Sequence, residues 1–194
     1  MSLLFEKEEF EQQVFEKEVC VGLNLKRKIF SQVTFKECDF SSSDFTGSHF
    51  LECFFLRCNL SLIKVDGCRF QDVQFEQCKF IGGNFTKCDP MLLKISFKKC
   101  LLDTGNFSEL DLRNTLFEEC SIRDTYFTGA NLSGADFSKS DLTQSTFHST
   151  NLTKANFVGS TNYSIDPSSN KLLKARFSTP EVLALLTSLG IVIE

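Results

Sequence analysis

The sequence predicts an all-β protein whose chain winds into a solenoid of stacked coils. Three observations lead to this prediction: a large apolar residue recurs every five residues, a small residue precedes it by two positions, and the chain contains 22 Phe but no Trp. A five-residue period fits neither an α-helix nor a flat strand. It fits a chain that turns a corner every five residues, with two side chains inside and three outside.

The large residues, which we call centres, form two runs. The first extends from Phe30 to Phe85 and the second from Leu92 to Phe157, and the phase slips by two residues around Cys88–Met91. Four five-residue sides make a coil of about twenty residues, and successive coils then pair as parallel strands about 4.8 Å apart. In the second run Phe alternates with Leu or Ile, which predicts separate Phe and Leu ladders on alternate sides.

Cysteine is common in the small inward position two residues before a centre. Seven of the nine cysteines occupy it: Cys38, Cys53, Cys58, Cys68, Cys78, Cys100 and Cys120. A zinc site needs four converging ligands, but the chain has no CxxC pair, and its only histidines are His49 and His148. We therefore interpret the cysteines as small buried hydrophobes and predict no metal and no cofactor. Free buried thiols favour a reducing compartment.

The pattern divides the chain into three parts. Residues 1–21 keep the period with charged residues and are predicted to form an N-terminal cap or an imperfect first coil. Residues 22–160 form the solenoid, with about seven coils. Residues 161–194 form a C-terminal module, in which Tyr163–Pro167 leaves the repeat and residues 170–177 connect to a helix.

An α-helix is predicted after residue 177. Ser178 or Thr179 can cap it, Pro180 suits its first turn and Gly190 ends it. A short strand, Ile191–Ile193, follows. The helix could cap the solenoid, or it could pair with a second copy across a two-fold axis. The dimer interface would then contain the apolar residues of this segment, which are Val182, Leu183, Leu185, Leu186, Leu189, Ile191 and Ile193.

Composition and motifs exclude several functions. The net charge of −4 argues against direct nucleic-acid binding. The N-terminus has neither the basic start nor the apolar run of a signal peptide, and no stretch is apolar enough to span a membrane, so we expect a cytoplasmic protein. There is no Gly-rich phosphate loop, nucleophile elbow or HExxH motif. We therefore expect no catalytic residues and no small-molecule substrate.

One stretch of the second run carries a family resemblance. Ala130-Asn131-Leu132-Ser133-Gly134-Ala135-Asp136-Phe137 is similar to the A-(D/N)-(L/F)-x-x signature of pentapeptide-repeat proteins. The resemblance implies a right-handed, quadrilateral parallel β-helix. The segment from Ser178 to Ile191 resembles the C-terminal module of the MfpA/Qnr/McbG branch, in which this module dimerises two solenoids end to end.

This branch resemblance implies a non-enzymatic function. Its members bind type II topoisomerases, chiefly DNA gyrase, in place of DNA, and confer fluoroquinolone resistance or self-immunity to a toxin. Some quinolone-resistance members carry long loops, whereas the only phase break here is the two-residue slip near Pro90. The alternative is a structural scaffold with an unidentified protein partner, because many pentapeptide-repeat proteins share the coils without any link to topoisomerases.

The acidic residues between 101 and 150 are candidates for a DNA-mimicking surface. Eight acids face only three bases in this segment, and they are Asp103, Glu109, Asp111, Glu118, Glu119, Asp124, Asp136 and Asp141. The period places six of them on two adjacent sides. Asp136 and Asp141 have a second explanation, because they precede a centre, where the family signature prefers Asp or Asn for backbone reasons. About 34 Å of B-DNA carries about twenty charges, so any mimicry must be local.

Overall fold

The computed structural model describes residues 5–191, which form short β-strands and 3₁₀ segments at Phe85–Lys87 and Glu181–Leu189. The strands in the first half are β1 (Glu9–Glu11), β2 (Val14–Glu16), β3 (Ile29–Ser31), β4 (Thr34–Lys36), β5 (His49–Leu51), β6 (Phe54–Leu56), β7 (Arg69–Gln71), β8 (Val73–Glu76) and β9 (Lys79–Ile81). The remaining strands are β10 (Ile95–Lys98), β11 (Leu101–Asp103), β12 (Phe117–Glu118), β13 (Thr146–Phe147), β14 (Asn156–Phe157), β15 (Ser164–Ile165) and β16 (Arg176–Phe177).

Parallel pairing between successive coils sets the architecture. Strand β1 pairs with β3 and β3 with β5, so Phe10, Phe30 and Phe50 stack at twenty-residue intervals. A six-stranded ladder, β12-β10-β8-β6-β4-β2, lies on the next side of the coil. The predicted parallel β-solenoid is confirmed. It makes about eight turns rather than the predicted seven, because strand pairing extends beyond both ends of residues 22–160. Residues 171–177 begin a ninth, incomplete coil.

Each coil has four faces, which we number in chain order by their first centre. Face 1 begins at Phe10, face 2 at Phe15, face 3 at Cys20 and face 4 at Leu25. Isolated bridges continue the columns between the strands. On face 3, for example, Leu101, Ser121, Asp141 and Thr161 form one uninterrupted column.

Stacked aromatic rings fill the core. On face 2 the ring centroids of Phe97 and Phe117 are 5.4 Å apart and those of Phe117 and Phe137 are 4.8 Å apart, with interplanar angles of 15° and 3°. Phe107 on face 4 meets Phe117 edge to face at 85°. Both geometries are favourable for aromatic pairs. The predicted alternation is therefore confirmed, with Phe ladders on faces 2 and 4 and Leu or Ile on faces 1 and 3 in the second half.

From Val33 to Ala155, outside the bulge, the position two residues before each centre is buried, as predicted. Its small polar members bond to the backbone of the preceding coil. The Ser140 hydroxyl donates to the Phe117 carbonyl at 2.6 Å and accepts from the Cys120 N–H at 2.9 Å. Small residues recur here because the site leaves room for one short side chain that satisfies backbone groups in the interior.

Two backbone features make the corners. The residue two after each centre lies in the left-handed region, as at Gly134 with φ +73° and Lys139 with φ +58°. The Asp or Asn before the centre accepts a hydrogen bond from the N–H two residues later, as from Ser138 to Asp136 Oδ1 at 2.8 Å. Side chains that bond to nearby backbone in this way favour turns. These positions are therefore selected by the turn itself.

The phase slip forms an outward bulge at Asp89–Lys94 on face 1. The interval between paired residues increases to 22 here, as for Val73 and Ile95. Leu92 was predicted to be a core centre, and this is wrong: its side chain is 69% exposed, while Leu93 packs partly against the core. The two extra residues move the chain outward, because the neighbouring coils keep their spacing and leave no inward room.

Strand pairing continues past residue 160, where the sequence pattern ends. Ser164–Ile165 pairs with Thr146–Phe147 at an interval of 18 residues, and Arg176–Phe177 pairs with Asn156–Phe157. The interval of 18 agrees with the predicted departure of Tyr163–Pro167 from the five-residue repeat, but the prediction that residues 170–177 are a connector is wrong, because they pair as part of a coil. Backbone pairing between coils does not require the five-residue side-chain phase, so the coil persists after the pattern is lost.

The C-terminal helix differs from the predicted α-helix. Glu181–Leu189 is a 3₁₀ helix with no side-chain cap, so the predicted capping by Ser178 or Thr179 is wrong. The Ser178 hydroxyl instead accepts from the Gly159 N–H at 3.0 Å. Gly190 ends the helix in the left-handed conformation, as predicted. The predicted strand at 191–193 lies mostly outside the described residues, and Ile191 itself is not in a strand.

Replacing one ring in a stacked ladder tests the origin of the stability. Phe117→Ala is expected to lower the free energy of unfolding by about 3–5 kcal/mol, because Phe117 is fully buried between two stacked rings. Urea unfolding followed by circular dichroism measures it. Tyr126→Ala, at an exposed aromatic residue, is the control and should change stability by no more than about 0.5 kcal/mol. Equal effects at both positions would contradict the stacked-core account.

Candidate partner-binding surface

Six of the eight candidate acids lie on two adjacent faces, as the period predicts. The column register puts Glu118, Glu119 and Asp136 on face 2. Asp103, Asp124 and Asp141 lie on face 3, around the column of Leu101, Ser121 and Asp141. The structure does not bring the other two acids to this surface, because Glu109 lies on face 4 and Asp111 on face 1.

On face 2 the acids are largely neutralised by lysines from neighbouring coils. Lys98 Nζ lies 3.6 Å from Glu118, and Glu119 lies between Lys99 at 3.6 Å and Lys139 at 3.5 Å. Sequence reasoning counted charge within residues 101–150 and so missed two of these bases. Counting twenty residues back from Glu118 and Glu119 would have found them.

Face 3 retains more negative charge than face 2. Arg123 pairs with Asp141 through its Nε and a terminal nitrogen, at 2.8 and 2.7 Å. Asp103 meets only the Ser121 hydroxyl, at 3.5 Å, and Asp124 has no ion pair within residues 5–191. Face 3 therefore presents one acidic side chain in each of three successive coils, with Arg123 as the single base among them.

Three of the candidate acids also have structural roles. Asp111 Oδ1 accepts from the Arg113 N–H at 3.3 Å. Asp136 Oδ1 accepts from the Ser138 N–H and from Asn156 Nδ2, at 2.8 and 3.0 Å. Asp141 Oδ1 accepts from the Thr143 hydroxyl at 2.6 Å and from Asn162 at 2.9 Å. The backbone explanation given by the sequence therefore applies to Asp136 and Asp141, and on face 3 Asp103 and Asp124 are the acids without such a corner bond.

The environment of Asp141 shifts its pKa. Partial burial raises the pKa, but hydrogen bonds from Asn162, Thr143 and Arg123 outweigh burial and lower it to about 2. A carboxylate with several donors is stabilised in its charged form. Asp141 therefore remains negative at every pH at which the protein would meet a partner.

Five cysteines form a column inside face 3. Cys38, Cys58, Cys78, Cys100 and Cys120 succeed one another, and each thiol donates to a main-chain carbonyl, as from Cys78 to Phe55 at 3.3 Å. Outside this column, burial raises the pKa of Cys53 to about 11 and that of Cys68 to about 12. Raised pKa values make thiols poor nucleophiles. Within residues 5–191, no three potential ligands are grouped to hold a metal ion.

An open groove of about 900 Å³ lies beside the bulge, between faces 1 and 2. Its rim carries two ion pairs, Lys94 with Asp72 and Arg113 with Asp111. No His or Cys lines it. In the described part of the chain, none of the helices has the length and hydropathy that crossing a bilayer requires.

The predicted dimer-interface residues differ in exposure. Leu185 packs partly against the core, and Val182 and Leu186 are half-buried. Leu183, Leu189 and Ile191 are exposed. Ile193 lies outside the described residues. The interface itself stays a prediction.

The geometry defines a class of protein: a four-faced β-solenoid with a filled interior, whose outer faces are the surface available to partners. The comparisons then identify the family. Residues 28–107 and 91–177 match the pentapeptide repeat region, and the chain belongs to the pentapeptide-repeat family. A comparison with curated protein sequences gives no significant match.

Three solved structures illustrate the likeness in fold. One trypsin-treated variant of QnrB1 is 19% identical, with a TM-score of 0.59, covering 96% of this chain and 97% of that one. A second trypsin-treated QnrB1 variant is 21% identical, with a TM-score of 0.53 and coverage of 96% and 100%. HetL from the cyanobacterium Nostoc sp. strain PCC 7120 is 14% identical, with a TM-score of 0.52 and coverage of 87% and 86%. At these identities the likeness shows the fold.

The lowered pKa of Asp141 predicts a pH-dependent contribution to stability. Asp141→Asn keeps an acceptor for Thr143 but loses the charge that pairs with Arg123, and should cost about 1 kcal/mol at pH 7. A folded-state pKa of about 2, below the ordinary 3.8, means that this stabilisation is complete above about pH 4 and lost towards pH 2. Urea unfolding of both proteins at pH 7, 4 and 2 measures it. A difference independent of pH would contradict the assignment.

Proposed function

We propose that this protein is a non-enzymatic binding protein that occupies the DNA site of a type II topoisomerase, chiefly DNA gyrase, through a short acidic surface on face 3. This activity would give fluoroquinolone resistance or immunity to a toxin that acts on gyrase. The observation that carries the proposal is the likeness to QnrB1 over nearly the full length of both chains, because QnrB1 is described as a plasmid-mediated fluoroquinolone resistance protein.

The surface chemistry supports a local rather than an extended mimic. Face 3 places Asp103, Asp124 and Asp141 in successive coils, about 4.8 Å apart along the solenoid. A single DNA strand carries one phosphate per 3.4 Å of helix axis. We call these three acids the acidic column. They recur at an axial interval longer than the phosphate spacing of one strand, and the balanced charges of face 2 border them.

The C-terminal helix supports a homodimer in this proposal. Leu183, Leu189 and Ile191 expose apolar side chains at the end of the solenoid nearest the acidic column. Burying them against a second copy would contribute about 25 cal/mol per Å² of apolar surface removed from water. The dimer would place the two acidic columns on one elongated molecule. Capping of the solenoid without dimerisation is the alternative role of the helix.

A second candidate function is an interaction scaffold for another protein. The near-neutral charge ladder of face 2 favours it, because Lys98, Lys99 and Lys139 offset the acids that a DNA mimic would need. HetL, described as involved in heterocyst differentiation regulation, shows that the fold also serves other roles.

A supercoiling assay with charge-reversed variants tests the topoisomerase proposal. The wild-type protein is expected to inhibit gyrase, or to relieve fluoroquinolone-induced cleavage, at micromolar concentration. Asp103→Lys with Asp124→Lys should weaken this effect at least tenfold, because it reverses the two acids that have no corner bond. Glu16→Lys with Asp66→Lys, the same charge change on other parts of the surface, is the matched control. No effect of the wild type on gyrase would reject the proposal and favour the scaffold.

The dimer is tested separately by sedimentation velocity. Leu183→Glu with Leu189→Glu is expected to remove association through the helix and so to lower the sedimentation coefficient, because it places charge in the apolar contact. Truncation at Tyr163 is unsuitable, since it removes Lys171 and Phe177, which pair with Asn151 and Phe157. Val158→Glu, at an apolar residue exposed outside the helix, is the control. An unchanged sedimentation coefficient in the helix variant would show that the helix only caps the solenoid.

A further inference from the structure

Face 1 carries charges whose signs alternate along one column. Glu9, Ile29, His49 and Arg69 are stacked in the first four coils of this column. Asp111, Asn131, Asn151 and Lys171 continue it in the sixth to ninth coils. Outside the bulge the charged members therefore read negative, positive, negative and positive from the N-terminal end. The bulge at Asp89–Lys94 occupies the fifth coil between them, and its Asp89 is paired with Arg69 of the preceding coil at 2.8 Å.

When this column is set against a second, antiparallel copy of itself, each of these charges faces a charge of opposite sign. We propose that face 1 is an interface at which a second copy of this chain packs side by side in antiparallel orientation. The two-fold axis is perpendicular to the solenoid axis and passes through the bulge. It then sets coil one against coil nine and coil four against coil six. Glu9 meets Lys171 of the other copy, and Arg69 meets Asp111.

The neighbouring charges agree with this arrangement. Glu8 and Glu11 flank Glu9 in the first coil, and Lys174 accompanies Lys171 in the ninth. Among residues 5–191 these side chains form no ion pairs within the chain and are exposed. Arg69 and Asp111 already pair with Asp89 and Arg113, so each inner contact would join two ion pairs from opposite copies. Opposite charges across an interface set register and orientation.

An apolar projection lies at the position of the proposed axis. Met91 and Leu92 in the bulge are 67% and 69% exposed. Four coils of face 1 lie on each side of them, so the two-fold operation brings the bulge of one copy against the bulge of the other. A symmetric interface of this kind uses the same residues on both copies. The apolar centre and the polar rim match the usual anatomy of a protein interface.

This inference is independent of the proposed function and uses a different surface from the C-terminal helix. Faces 2 and 3 stay exposed in the side-by-side dimer, so the acidic column would remain open to a partner. A parallel arrangement on the same face is disfavoured, because it would set Glu9 against Glu9 and Lys171 against Lys171, and like charges in direct contact oppose association.

Complementary charge reversal, followed by sedimentation velocity, tests the interface. All variants are made in a parent protein that carries Leu183→Glu and Leu189→Glu, because these two changes remove any contact through the helix. The parent protein is expected to dimerise. Glu9→Lys with Glu11→Lys and, separately, Lys171→Glu with Lys174→Glu should each weaken dimerisation at least tenfold. An equimolar mixture of the two variants should restore it, because the lysines introduced at positions 9 and 11 of one copy then meet the glutamates introduced at positions 171 and 174 of the other, and the unchanged ends of the two copies remain complementary. Glu16→Lys with Asp66→Lys, on faces 2 and 4, should leave it unchanged.

A cysteine cross-link tests the position of the axis. All nine native cysteines are buried, so Met91→Cys supplies an accessible thiol and should give a disulfide-linked dimer under mild oxidation. Val19→Cys, at a position no less exposed on face 3, should not. A monomeric parent protein, a mixture no more associated than its components, or no preference of cross-linking for position 91 would each overturn the proposal.

Discussion

In-register parallel pairing at twenty residues is the constraint on which the rest of the molecule depends. It stacks side chains on the equivalent side chains of the neighbouring coil. Inside the solenoid, the aromatic ring of Phe117 therefore stacks on that of Phe97. Outside, the pairing sets charged residues in columns, as Lys99, Glu119 and Lys139 are set. The surface of this protein is therefore determined by the twenty-residue interval rather than by local segments of sequence.

The interior could be predicted almost completely from the sequence, because each inward position repeats and accepts few residue types. The surface could not be predicted as well. Which outward residues share a column across Asp89–Lys94 depends on where the two extra residues are accommodated. Leu92 kept the phase of a centre but lies in the bulge. The C-terminal helix was expected from its apolar spacing, but that spacing does not distinguish the observed 3₁₀ helix from the predicted α-helix. Residues 163–177 were missed because main-chain pairing continued without a side-chain signal.

On this fold, acids that the corners require can be distinguished, residue by residue, from acids that are free to contact a partner. Asp136 and Asp141 hold corners through bonds to Ser138 and Thr143, so their presence says little about a partner. Asp103 and Asp124 have no such bond, and the turn does not require them. Because the fold does not require Asp103 and Asp124, these two acids give stronger support for an acidic binding surface. Both lie on face 3, which is therefore the favoured position of that surface.

The bulge at Asp89–Lys94 also acts as a fixed reference along the length of the molecule. Solenoids grow or shrink by whole repeats, and removing residues 118–137 would join equivalent positions and shorten the rod by about 4.8 Å without changing its cross-section. Such a change would move one end towards the bulge while the other stayed in place. Equal numbers of coils on its two sides are thus a property that duplication or loss of a repeat would destroy, although every single coil would still fold.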